Sequence, residues 1–198
     1  MNVSLSIGRG SGRGWLFATT LFLFPAPLPA QTTPARIAAC EACHGPGGNS
    51  VTPLVPSIAQ QPELYLENQL VFFREGLRNS PVMEQVLKDV KDAELTALAR
   101  HFAGQKARVP AGPPPETARM LRGAELAKAN HCGQCHLPNL EGRAQMPRLA
   151  GQREDYLLHA MVGYREGKRT GADTTMTEVL HGMSDADLAV LAYYMARL

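Results

Sequence analysis

Cys40-Glu41-Ala42-Cys43-His44 and Cys132-Gly133-Gln134-Cys135-His136 are two copies of one pattern, C-x-x-C-H, set 92 residues apart. Two thiols three positions apart share one helical turn, so both can bond to one flat partner. The His that follows is then held beneath that partner. This is the geometry for attaching c-type haem: the thiols add to the two vinyl groups, and the His ligates the iron from one face. Other readings use the same residues. Four cysteines can make one zinc site, or two redox-active dithiols, or two disulfides. Zinc does not account for a His directly after both pairs. No βαβ pattern supports a thioredoxin-like fold. Two boxes inside one longer repeat favour haem.

The repeat extends outward from the boxes. A Gly/Pro-rich loop follows each one, and the copies return to step at Pro56-Ser-Ile-Ala-Gln-Gln and Pro147-Arg-Leu-Ala-Gly-Gln. A helix is predicted next in each copy. Leu66, Leu70 and Phe73 form an apolar stripe at i, i+4, i+7, and Leu157, Met161 and Tyr164 form its twin. Pro62 suits the first helical position, and Gly76 and Gly167 are helix stops. A polar loop and a closing helix complete each copy. In the closing helices Leu95, Leu98, Ala99 and Phe102 repeat as Leu188, Leu191, Ala192 and Met195. Ser184 with Asp187 is a capping arrangement. Lys91 stands at the matching position of the first copy, whose cap is weaker or uses Asp89. A helix over 116–129 leads into the second box, whereas only a short helix opening at Ala35 can precede the first. No strand pattern occurs, so the fold class is all-α. The Pro-rich stretch 105–115 reads as a semi-rigid linker between residues 31–104 and 116–198.

An iron held by one His has a sixth position, and its occupant decides the chemistry. An open position admits small ligands, whereas Met closes it, raises the potential and favours electron transfer. Met83 and Met176 lie in the polar loops, each twelve residues before its closing-helix leucine, Leu95 or Leu188. Gap-filling is the ordinary role of Met, but a polar loop offers little gap to fill. Met146 and Met183 compete in the second copy, yet their counterparts are Val55 and Val90, so the repeat selects Met176. His101, His131, His159 and His181 have no His counterpart and read as packed or solvated. Arg78 and Arg169 do repeat, and either reach haem propionates or cap solvated helix ends.

Residues 1–30 read as a secretory signal: Arg9 and Arg13, an apolar run from Trp15 to Phe24, then Pro25, Pro27, Pro29 and Ala30. The run is too short to cross a membrane as a helix, and no other stretch is long enough. Export to the periplasm is expected, with cleavage near Ala30. Beyond that point Lys plus Arg number 18 and Asp plus Glu number 18. Four haem propionates would make the loaded protein acidic, which argues against nucleic acid as a partner. Halves of roughly 80 residues bury little alone, and a covalent haem would supply apolar core.

Taken together, the two boxes, the Pro56 and Pro147 motifs, the Phe/Tyr-Arg-Glu-Gly helices and the Met spacing resemble the dihaem cytochrome c4 family, and more broadly tandem class I cytochromes c. The resemblance covers most of residues 35–198. It implies two cytochrome c domains related by a pseudo-twofold axis, each with one covalent haem c near the interface. It also implies that the carbonyls of Pro56 and Pro147 accept the second ring N–H of His44 and His136. The chain departs from the family in its truncated helix before Cys40, in Gln60 where the second copy has Gly151, and in its longer linker. The expected function is single-electron transfer between a redox protein donor and acceptor, such as a membrane-bound oxidase or cytochrome complex. Cys40, Cys43, Cys132 and Cys135 would tether the haems, and His44, Met83, His136 and Met176 would ligate the irons. The alternatives are a dihaem subunit of a periplasmic dehydrogenase, of the flavocytochrome type, and a dihaem oxidoreductase.

Overall fold

The apolar stripes lie on helices, as their spacing requires. In a computed structural model, which describes residues 1, 33–169, 171 and 174–198, the chain runs through helices α1 (Thr33–His44), α2 (Glu63–Arg74), α3 (Pro81–Leu87) and α4 (Asp92–Ala103). Helices α5 (Thr117–Ala129), α6 (Cys132–His136), α7 (Glu154–Arg165), α8 (Thr175–Leu180) and α9 (Asp185–Met195) follow. Among the described residues there is no strand, only an isolated bridge between Arg143 and Met146. The signal segment expected over 1–30 lies outside the described residues, apart from Met1.

Each copy packs its own core. In the first, Phe73, Leu87, Val90, Leu95 and Leu98 form one cluster and Leu66, Ala99 and Phe102 another. In the second, one cluster takes in Leu126, Leu157, Met161, Leu180, Leu188, Leu191 and Met195. The closing helices are the hubs: Leu95, Leu98, Leu188 and Leu191 are among the most deeply buried side chains. Their caps differ as expected. Ser184 accepts the N–H of Asp187 at 3.1 Å, while Lys91 makes no side-chain cap, and Asp89 does not replace it. Gly76 and Gly167 take φ of +66° and +65°, a left-handed turn that ends α2 and α7 alike. Pro62 is the N-cap of α2 rather than its first helical residue.

Three differences from the sequence reading matter. Met83 and Met176 do not sit in loops: they fall in the first turns of the short helices α3 and α8. The helix before the second box is not continuous with it, because His131, with φ +55°, turns the chain between α5 and α6. The first part of the linker is tied down. Asn49 donates from Nδ2 to the Lys106 carbonyl at 3.1 Å and accepts from the Arg108 N–H at 2.8 Å. Gln60 Oε1 accepts the Ala107 N–H at 3.1 Å.

The two copies belong to one compact unit, joined along a seam of buried hydrogen bonds. Gln61 of the first copy bonds the backbone of Arg148 in the second, and Gln152 of the second bonds the backbone of Ser57 in the first.

Candidate cofactor sites

The last turn of α1 and the whole of α6 present the boxes. Cys40 and Cys132 turn partly inward, while Cys43 and Cys135 are exposed. Burial pushes the Cys40 thiol up to about 11, and burial raises Cys132 as well. No group of three or more His, Cys, Asp or Glu side chains comes together among the described residues, which leaves the single zinc site without a donor set.

His44 and His136 end their helices buried, at 9% and 5% exposure. Each ring is oriented by a proline carbonyl: His44 Nδ1 lies 2.8 Å from the Pro56 oxygen and His136 Nδ1 lies 2.8 Å from the Pro147 oxygen. A carbonyl only accepts, so Nδ1 carries the proton and Nε2 the lone pair. Burial lowers both imidazole pKa values, against the opposing pull of the carbonyls. Both rings are therefore neutral, the form that binds a metal. His136 Nε2 is buried with no hydrogen-bond partner. An orphaned buried acceptor is costly unless a ligand meets it, and the iron of a haem is a group this nitrogen would fit.

In the first copy one cavity of about 710 Å³ is lined by Cys40, Cys43, His44 and Met83 together. Its other walls include Leu70, Phe73, Leu98 and Phe102, a mostly apolar surround suited to a large planar cofactor. In the second copy Cys132, Met176 and Met183 pack against one core cluster. Met176 stands in α8 where Met83 stands in α3. Met183 lies between α8 and α9, where the first copy has the buried Val90.

The cavity reaches across the seam to a cluster the sequence did not disclose. Arg78 Nη2 and Arg169 Nη1 both donate to the Tyr156 hydroxyl, at 3.1 and 3.2 Å. Arg78 lies over the Phe73 ring and Arg169 over the Tyr164 ring, 4.4 and 4.7 Å from the centroids. Neither is a solvated helix end. Burial alone would raise the Tyr156 phenol, but Arg169 and Arg78 outweigh it and bring it down. Arg169 Nε is buried without a partner. Two guanidiniums donating to one phenol oxygen make a site with more positive than negative charge, matched to carboxylates. Tyr65 and Tyr156 occupy matching positions of the repeat, as do Gln61 and Gln152. That recurrence was the signal available in the sequence, though it names no role.

A sequence model of the cytochrome c family matches residues 120–198. The chain is 36% identical over 180 residues to cytochrome c4 of Azotobacter vinelandii, spanning 82% of this chain and 86% of that protein. It is 32% identical over 181 residues to the thiosulfate dehydrogenase electron acceptor of Thiomonas intermedia, spanning 86% and 83%. Its backbone is similar to the crystal structure of reduced recombinant cytochrome c4 from Pseudomonas stutzeri, with a TM-score of 0.75 at 31% identity, covering 85% of this chain and all of that one.

Proposed function

The chain belongs to the cytochrome c4 family, a dihaem electron-transfer cytochrome with covalently bound haem c, and from that premise we propose a periplasmic carrier that passes single electrons between two redox proteins. The gathering of Cys40, Cys43, His44 and Met83 around one cavity carries this reading. We assign the thioether links to Cys40, Cys43, Cys132 and Cys135. The ligand pairs are His44 with Met83 and His136 with Met176. Residues 1–30 act as the signal, 31–104 and 116–198 as the two domains, and 105–115 as the linker.

Haem c supplies the chemistry, a one-electron change at iron with no bond made or broken in a substrate. The chain supplies binding, orientation and electrostatics. The buried rings, each held at Nδ1, keep the Nε2 donors fixed in either oxidation state, so little reorganisation accompanies transfer. Arg78 and Arg169 would pair with haem propionates.

A second reading, the electron-accepting subunit of a dehydrogenase, draws support from the thiosulfate dehydrogenase electron acceptor among the relatives. It uses the same haem sites and differs in having a permanent partner.

Intact mass and ligand binding test the carrier. Trp15 is the only Trp and lies in the proposed signal. The exported protein should lack Trp, and its mass should equal residues 31–198 plus two haems. Reduced protein should bind carbon monoxide slowly and turn over neither peroxide nor thiosulfate alone, because a ligand must first displace the Met sulfur. Rapid carbon monoxide binding to either haem overturns the carrier assignment for that haem.

A further inference from the structure

The seam bonds and the histidine bonds meet on the same two peptide groups. The amide joining Pro56 to Ser57 is planar and conjugated, so its carbonyl and its N–H are two ends of one polarisable unit. At the carbonyl end, His44 Nδ1 donates to the Pro56 oxygen at 2.8 Å. At the N–H end, Ser57 donates to Gln152 Oε1 at 2.8 Å. Gln152 belongs to the other copy. The arrangement recurs with the roles exchanged. His136 Nδ1 donates to the Pro147 oxygen at 2.8 Å, and the Arg148 N–H donates to Gln61 Oε1 at 2.9 Å. Each glutamine also returns a bond from Nε2: Gln152 to the Ser57 carbonyl at 2.8 Å and Gln61 to the Arg148 carbonyl at 2.9 Å. Both glutamines are 5% exposed; the Gln152–Ser57 bonds are buried and the Gln61–Arg148 bonds part-buried, and chained hydrogen bonds strengthen one another where the local dielectric is low.

We infer that Gln152 and Gln61 are crossed positioning residues: each sets the donor strength of the histidine ligand in the opposite copy. The inference rests on the haem reading above. An amide oxygen accepting from the Ser57 N–H draws charge toward the Pro56 carbonyl. That oxygen then accepts more strongly from His44, and Nε2 becomes a better donor to iron. Better donation favours the ferric state. The chain Gln152, Pro56–Ser57 amide, His44 therefore lowers the potential of the first haem from a residue that belongs to the second copy. Gln61 does the same for the second haem from the first copy.

The two arms are not equally supported. The loop carrying Pro56 takes further bonds from the other copy: Asp155 Oδ2 accepts the Leu54 N–H at 3.0 Å, and Arg153 Nη1 reaches the Ser50 carbonyl at 3.4 Å. Both loops are also braced within their own copies, that of Pro56 by the Ile58 N–H to the Gly48 carbonyl at 2.8 Å and that of Pro147 by paired bonds of 2.9 and 2.8 Å between Arg143 and Met146, so the further cross-copy bonds mark the Pro56 loop apart. The first haem therefore depends more on its neighbour than the second does.

The test uses the full exported protein with both haems attached, and compares Gln152→Leu with Gln61→Leu. Leucine keeps the volume of the side chain and removes the amide. Potentials come from a redox titration followed by NMR, with each haem assigned through contacts between its methyl groups and its own box. Gln152→Leu should raise the potential of the haem on His44 and shift the paramagnetic resonances of the His44 ring, leaving the haem on His136 in place. Gln61→Leu should do the reverse with a smaller displacement. A change confined to the mutated copy, an equal change in both haems, a fall in potential, or no change overturns the inference. Loss of either haem from the unsubstituted protein, seen by intact mass, defeats the haem reading instead.

Discussion

The proposed closed coordination rests on Met83 and Met176. Replacing either by Ala should remove about half of the weak far-red band of iron–sulfur ligation and lower one potential, since Met ligation raises potential. Met183→Ala should leave the band intact, and near-infrared absorption of the oxidised variants checks all three. A loss with Met183→Ala in place of Met176→Ala would reverse the assignment that the repeat makes. At this scale covalent haem c was legible, because its attachment dictates the C-x-x-C-H spacing. The helical setting of the two methionines was not. A single turn beginning at Pro81 or Thr175 is too short to show a period. The glutamines were visible only as matched letters. Their role comes from which backbone they meet across the seam, and local sequence carries no trace of that.

Helices α2, α4, α7 and α9 were legible from apolar spacing and from the glycines that end α2 and α7. The break between α5 and α6 was not, because it depends on His131 adopting a left-handed conformation that sequence favours only weakly in non-glycine residues. A close approach between α5 and α9 was also hidden. A Cβ on Gly123 would lie 2.3 Å from Tyr194 Cβ and 3.2 Å from the Val190 carbonyl oxygen. Alanine is the better helix former by about 1 kcal/mol, but overpacking of this kind costs about 1–3 kcal/mol. The obstruction includes the Tyr194 Cβ, which a rotamer change does not move. Gly123→Ala should therefore destabilise the second copy on the order of 1–2 kcal/mol, read as a lower denaturation midpoint.

For the whole molecule, the repeat register and the all-α class were legible, and the family resemblance implied an interface between the copies, whereas the residues that make the seam were not legible. The two surroundings differ, with Val82 preceding Met83 and Thr175 preceding Met176. Local polarity and hydrogen bonding tune haem potential, so a redox titration should resolve two unequal one-electron steps, and a single two-electron wave would contradict it. The reciprocal glutamine bonds bear on ancestry as well. A seam in which residue i meets j while j meets i is the kind two identical chains form as a closed homodimer. One ancestral half bearing that glutamine and that proline loop already holds both sides of the contact. Fusion of two such genes would need no new surface. It would replace a concentration-dependent meeting with an intramolecular one, and leave each half free to diverge around its own iron.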